Sequence, residues 1–316
     1  MQYRRLGGSG LKISTFSIGS WLTFGGQVGL RQARECLDAA LDAGVNFIGN
    51  AEVYSAGMAE LVVGQLIKSY KREDLVISSK VFWGGDGPNE TGLSRKHIVE
   101  ACHGALQRMN LDYLDLYFCH RYDPETPVYE VCETMDMLIR QGKVLYWGTS
   151  EWTAEQLKEA FCICKERNLI KPTMEQPEYN MYRRERVETE LAPLCKEEGL
   201  GTTIWSPLAG GLLTGKYNQG IPKNSRITKG NYPWMINKIN DAKIMGQVRS
   251  ICSLAEEWGW KPAHLALAWC AKSPFVSTVI TGATTVEQVR ENMKAIDVLE
   301  KLDAEKMAKI NAILQS

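Results

Sequence analysis

The chain has 316 residues, 44% hydrophobic and 23% charged, a globular composition that excludes a disordered, collagenous or fibrous polypeptide. Lys and Arg total 37 against 37 Asp and Glu, with no basic block long enough to neutralise a row of phosphates, so no nucleic acid is expected as a partner. The longest uncharged stretch, 199–215, is broken by Pro207 and five glycines, and the first residues lack the apolar run of a secretory signal; the expectation is a cytoplasmic protein without membrane insertion.

In chain order, the first signal is Tyr3-Arg4-Arg5-Leu6 and Leu11-Lys12-Ile13-Ser14 flanking Gly7-Gly8-Ser9-Gly10, a β-hairpin with a Gly-rich turn that could plug the bottom of a barrel. Eight short β-rich apolar runs follow, at 16–19, 46–49, 76–81, 113–119, 144–148, 173–176, 202–205 and 277–281. Their starts are 30, 30, 37, 31, 29, 29 and 75 residues apart, and helical patterns such as 31–43, 94–109 and 153–167 fill the gaps. A helical crossover returns the chain to the same end of the sheet, so the strands run parallel, and eight strand-helix units close into a (β/α)8 TIM barrel. Such a barrel needs about 250 residues, and the excess lies in the last gap. There, 211–240, rich in Gly, Pro, Asn, Lys and Trp, predicts a long functional loop, with an extra helix, after the seventh strand. No linker-like change in composition divides the chain, which predicts one domain over 1–316.

Nine cysteines, an odd number with no C-x-x-C spacing, read as reduced thiols packed in the core. Four histidines, at 97, 103, 120 and 264, include no H-E-x-x-H or other metal spacing, so no metal is expected. Barrel active sites form where strands end, which selects Gly49, Glu52 and Tyr54, then Lys80, His120, Ser150, Gln176, Trp205, Ser206 and Gly282. Singly, Tyr54, Lys80 and His120 read as a loop aromatic, a surface-paired cation and a core histidine. Together at one mouth, they suit protonation of a carbonyl oxygen while its carbon is attacked. The stretch Gly210 to Tyr217 nearly matches a phosphate-binding P-loop, but Tyr217 stands where magnesium needs a small hydroxyl, and no G-x-G-x-x-G follows a strand.

In this order, Trp21-Leu22-Thr23-Phe24-Gly25-Gly26-Gln27, Ala51-Glu52-Val53-Tyr54, Lys80-Val81-Phe82-Trp83-Gly84-Gly85, Tyr146-Trp147-Gly148-Thr149-Ser150, Trp205-Ser206-Pro207-Leu208-Ala209 and Glu287-Gln288 with Glu291-Asn292 resemble the aldo-keto reductase family over nearly the whole chain. Within it they resemble the branch of the voltage-gated potassium channel β subunits. The resemblance implies NADPH-dependent reduction of aldehydes or ketones to alcohols, with Tyr54 as general acid, Lys80 as the cation that favours its phenolate, and His120 bonded to the substrate oxygen. It further implies that Trp205 stacks on the nicotinamide, that Ser150 and Gln176 hold its carboxamide, and that Ser206, Pro207 and Leu208, with Ala209 and Gly210 beside them, line the pyrophosphate. Ser20, Trp21 and Gln27 are implied to close the site, Lys216, Ser225 and Arg226 to grip the adenosine 2′-phosphate, and Gln288, Glu291 and Asn292 to meet the adenine end. Gly282 and Thr284 complete the cofactor set; Gly282 and Gln288 replace the Lys and Arg of many family reductases, as in the channel-subunit branch.

One position departs from the pattern. The family writes Asp-Thr-Ala before the tyrosine loop, whereas this chain reads Gly49-Asn50-Ala51, with glycine at the place of the catalytic carboxylate. A buried ammonium without an anion loses charge by desolvation, which predicts impaired turnover with cofactor binding spared. Glu52 is expected to remain a solvated loop acid rather than a substitute. Two readings follow: a slow carbonyl reductase, favoured by His120 where channel-subunit relatives carry Asn, and an NADPH-binding regulatory or redox-sensing subunit, tetrameric by resemblance.

Overall fold

The computed structural model describes residues 1–21, 23–223, 225–229 and 233–315, with side chains outside the description at 226, 229 and 233–235. Strands β1 (Tyr3–Arg5) and β2 (Lys12–Ser14) pair antiparallel, Tyr3 opposite Ser14, on either side of the Gly-rich turn. Eight parallel strands follow: β3 (Phe16–Gly19), β4 (Phe47–Gly49), β5 (Val76–Val81), β6 (Leu114–Cys119), β7 (Val144–Thr149), β8 (Met174–Glu175), β9 (Gly201–Ile204) and β10 (Thr278–Thr281). They pair in chain order, and β10 closes the barrel on β3, Val279 opposite Phe16. Each expected strand is present, so the (β/α)8 barrel holds.

The hairpin does plug the barrel. Leu6 and Ile13, both fully buried, pack with the inward residues Phe47, Val76, Leu116, Phe118 and Met174 in one apolar cluster. Gly7 makes the approach possible: at φ +55° it lies where a Cβ would stand 2.2 Å from the Gly199 carbonyl oxygen and 2.4 Å from the Gly201 nitrogen. Gly7→Ala must therefore push the hairpin off the barrel floor, and a loss of about 2 kcal/mol or more is expected from the denaturation midpoint. An unchanged midpoint would show the plug to be dispensable.

Several outer helices start where the sequence supplies caps. Ser94 accepts from the His97 N–H at the head of Arg95–Met109, and Thr153 forms a reciprocal capping box with Gln156 at the head of Ala154–Glu166. The segment after β9 expected as a long loop with an extra helix holds a 3-10 turn at Ala209–Thr214, then helices Arg226–Lys229 and Pro233–Asn240, ahead of the helix Ala242–Glu257. Pro233 reads as a loop signal in sequence, yet it is the first residue of its helix, where a missing N–H costs nothing. Among the described residues, no helix is long and apolar enough to cross a membrane.

Candidate active site

A cleft of about 950 Å³ opens at the C-terminal ends of the strands. Tyr54 reaches it from the loop after β4, where Ser55 and Ala56 adopt positive φ of 51° before the helix Met58–Ile67 begins. Lys80 is the inward residue near the end of β5, and His120 follows β6 directly. The structure brings the three together. Lys80 Nζ donates to Tyr54 Oη at 2.9 Å and to the Asn50 carbonyl oxygen at 2.7 Å. The Tyr54 and His120 rings meet edge-on at 5.8 Å, and His120 Nδ1 is buried without a partner.

Charge in this corner is poorly compensated. Lys80 is only 2% exposed, and burial, then the Arg121 charge, push its pKa down to about 7, with Glu60 a weaker opposing influence. Burial raises the Tyr54 hydroxyl, and Arg121 partly opposes that shift. His120 is held neutral by burial, and further by Lys80 and Arg121. Desolvation thus disfavours the charged form of Lys80. At Gly49 a Cβ would meet only ordinary contacts, Gly19 Cα and the Ile18 carbonyl at 3.9 Å and Ile280 Cδ1 at 4.0 Å, on the lumen side of the wall. Glu52 does not fill the gap. It is buried, not solvated as expected, and accepts from the Phe82 N–H at 2.7 Å while His97 Nε2 lies 3.6 Å away.

The rest of the expected set surrounds the cleft. Trp205 follows β9, its Nε1 donating to Glu151 at 2.9 Å, and Trp21 stands edge-on to it at 6.1 Å. Ser150 Oγ donates to the Gln176 carbonyl at 3.0 Å, and Gln176 Nε2 to Thr203 Oγ1 at 3.0 Å, fixing a polar shelf. Past Trp205 the backbone turns through Ser206, Ala209, Gly210 and Gly211, with φ of 57°, 48°, 70° and 95°. Within this run the Ala209 and Gly211 N–H groups donate to the Ser206 and Leu208 carbonyls at 2.9 Å each. Lys216 Nζ folds against it, 2.5 Å from where a Cβ of Gly211 would be. Ser225 adds a buried hydroxyl without a partner. Pro207, Leu208, Gln27 and Gly282 also line the cleft, as do Thr284, Gln288, Glu291 and Asn292. At this end Gln288 Oε1 accepts from the Thr284 N–H at 2.8 Å, and Glu291 is clamped by Lys261 and Lys294 at 2.5 Å each, which hold its pKa down to about 2.

Three of the expected cofactor residues stand apart from the described cleft surface or outside the described side chains: Ser20, Ala209 and Arg226. Ser20 is turned into the barrel wall, donating to Asn50 Oδ1 at 2.7 Å, and is not part of the cleft surface. Ala209 is buried beneath the turn and contributes backbone rather than side chain. The Arg226 side chain lies outside the described residues. Sequence reasoning missed Trp83, Arg121, Glu151 and Lys261. Arg121 and Glu151 immediately follow the strand-end residues His120 and Ser150, which is the signal that could have found them.

A (β/α)8 barrel with tyrosine, lysine and histidine converging at its mouth is an architecture found in oxidoreductases and their relatives. The chain belongs to the aldo/keto reductase family, whose model matches residues 15–315. It is 49% identical, over its whole length and 97% of theirs, to proteins described as "Probable voltage-gated potassium channel subunit beta" from Arabidopsis thaliana and from Oryza sativa subsp. japonica.

Proposed function

We propose that this chain binds NADPH and reduces the carbonyl group of aldehydes or ketones to an alcohol, at a rate lowered by Gly49. The observation that carries the reading is the 2.9 Å hydrogen bond from Lys80 to Tyr54 at the head of the cleft. Because Oη accepts from Lys80, the hydroxyl keeps its own proton for a substrate oxygen. Neutral His120, with Nδ1 unpartnered, is suited to bind that same oxygen. The turn at Ser206 to Gly211 with Lys216 and Ser225 fits the cofactor's phosphates, Trp205 its nicotinamide face, and Ser150 with Gln176 its carboxamide. When bound, NADPH supplies the hydride that adds to the carbonyl carbon. Tyr54 delivers the proton to the oxygen, so one C–H and one O–H bond form as C=O becomes C–O, and the phenolate is left against Lys80.

A second reading, an NADPH-binding regulatory subunit that assembles as a homo-oligomer and docks on a channel, is favoured by the names of the plant relatives and by Gly49. Adding NADPH is expected to raise the melting temperature, and adding 4-nitrobenzaldehyde to consume NADPH absorbance. A melting shift with no consumption over hours favours the subunit. Neither response overturns both readings.

A further inference from the structure

Arg121 lines the same cleft, half-buried, and has no part in the proton transfer. Its guanidinium carbon lies 5.3 Å from the centre of the Trp83 ring, and Nη1 donates to the His120 carbonyl at 2.5 Å and weakly to Ser150 Oγ at 3.4 Å. Those acceptors are neutral. Among the described residues, no carboxylate is within ion-pairing distance of Arg121: Glu52 is taken by Phe82 and His97, and Glu60 by Arg108 at 2.5 Å. A guanidinium carries five donors, and leaving its charge without an anion in a partly dry wall is unfavourable. Lys80 and the glycine at position 49 deepen the imbalance, so this wall of the cleft carries positive charge that the protein does not neutralise.

We propose that the cleft selects carbonyl compounds bearing a carboxylate several bonds from the carbonyl, with Arg121 as the specificity-determining residue that holds the carboxylate. This rests on the reductase reading. The spacing follows from a row of side chains: Arg121 against Trp83, Trp83 edge-on to His120 at 5.0 Å, and His120 edge-on to Tyr54 at 5.8 Å. With Trp83 and His120 standing between the guanidinium and Tyr54, a carboxylate at Arg121 is set apart from a carbonyl at Tyr54, which suits a flat or extended substrate and not a 2-oxo acid. Trp83, exposed in the cleft beside the guanidinium, gives such a substrate an apolar surface.

Two measurements separate this inference from the reading beneath it. Rates with NADPH are compared for 4-carboxybenzaldehyde and 4-carbamoylbenzaldehyde, and dissociation constants, from tryptophan fluorescence in the presence of NADP⁺, for the inert pair 4-methylbenzoate and 4-methylbenzamide. The carboxylates are expected to win by about tenfold or more, in KM rather than kcat and in Kd. Arg121→Gln is expected to erase the preference, and Arg121→Lys, which keeps the charge without the planar fork, to retain part of it. Equal constants for the wild-type protein, or a preference that survives in Arg121→Gln, overturns the proposal. If both aldehydes react with equal efficiency, the reductase reading stands and Arg121 loses its role. If neither reacts but the benzoate still binds preferentially through Arg121, the anion site stands and the reductase reading falls.

Discussion

Lys80→Met is expected to lose turnover by about 10²–10⁴ and, in the cofactor-free protein, to melt at a higher temperature than the wild type. The two effects have one cause. Lys80 is only 2% exposed, and the fall of its pKa from 10.5 to about 7 reflects an ammonium held in the wall without an anion. A shift of that size corresponds to roughly 4–5 kcal/mol. Methionine removes this penalty and forfeits hydrogen bonds to Tyr54 and the Asn50 carbonyl, a loss of about 1–3 kcal/mol. Since the folded pKa lies below the unfolded one, the unfolded chain binds the extra proton between about pH 7 and 10.5, and wild-type stability rises through that window. The penalty is complete below about pH 7, so the gain in Lys80→Met is largest there and shrinks as pH rises toward 10. Melting curves at both ends read the effect. A variant that melts below the wild type at the acidic end refutes the assignment of an unpaired ammonium, and Tyr54→Phe, which loses turnover with no such pH-dependent gain, is the control.

The barrel was legible because its periodicity is carried by many residues at once. Strand-length apolar runs recur about every thirty positions, and parallel pairing leaves a closed eight-strand sheet as the natural solution. The convergence of Tyr54, Lys80 and His120 was legible for a related reason: strand ends point to one mouth, whatever the loops do. What escaped was set by side-chain direction and by local capping. Glu52 sits two residues from Tyr54, and nothing in that spacing reveals that the Phe82 N–H captures it. Pro233 and the polar residues around it look like a loop, because a proline that starts a helix and one that ends it are the same letter. Arg121 stands one residue past a strand end, so its position was within reach of the sequence, but only the contacts show that, among the described residues, no acid answers it.

Gly49→Asp is expected to raise the rate of NADPH-dependent aldehyde reduction at least tenfold and to move its alkaline decline upward in pH. Alternate residues of a strand share a face, so Gly49 lies on the inward side with Phe47, and Lys80 with Val76; Phe47 and Val76 are partners across β4 and β5. Both positions therefore face the lumen from neighbouring strands. The glycine backbone is not in the left-handed region, and the nearest atoms to a new Cβ are 3.9 Å away, so the aspartate enters without strain. A carboxylate beside the ammonium opposes the desolvation that now holds Lys80 to about 7. With glycine, reduction falls as pH rises through that value, because the charged lysine that stabilises the Tyr54 phenolate is lost; with aspartate, the charged form persists to higher pH. The measurement is kcat at saturating NADPH across the pH range, with the NADPH-induced melting shift as a check that the variant is folded and loaded. An unchanged rate and pH profile in a loaded variant would mean that the missing carboxylate does not limit the proposed reduction, and that the slow step lies elsewhere, in cofactor release or in closure of the cleft over its substrate.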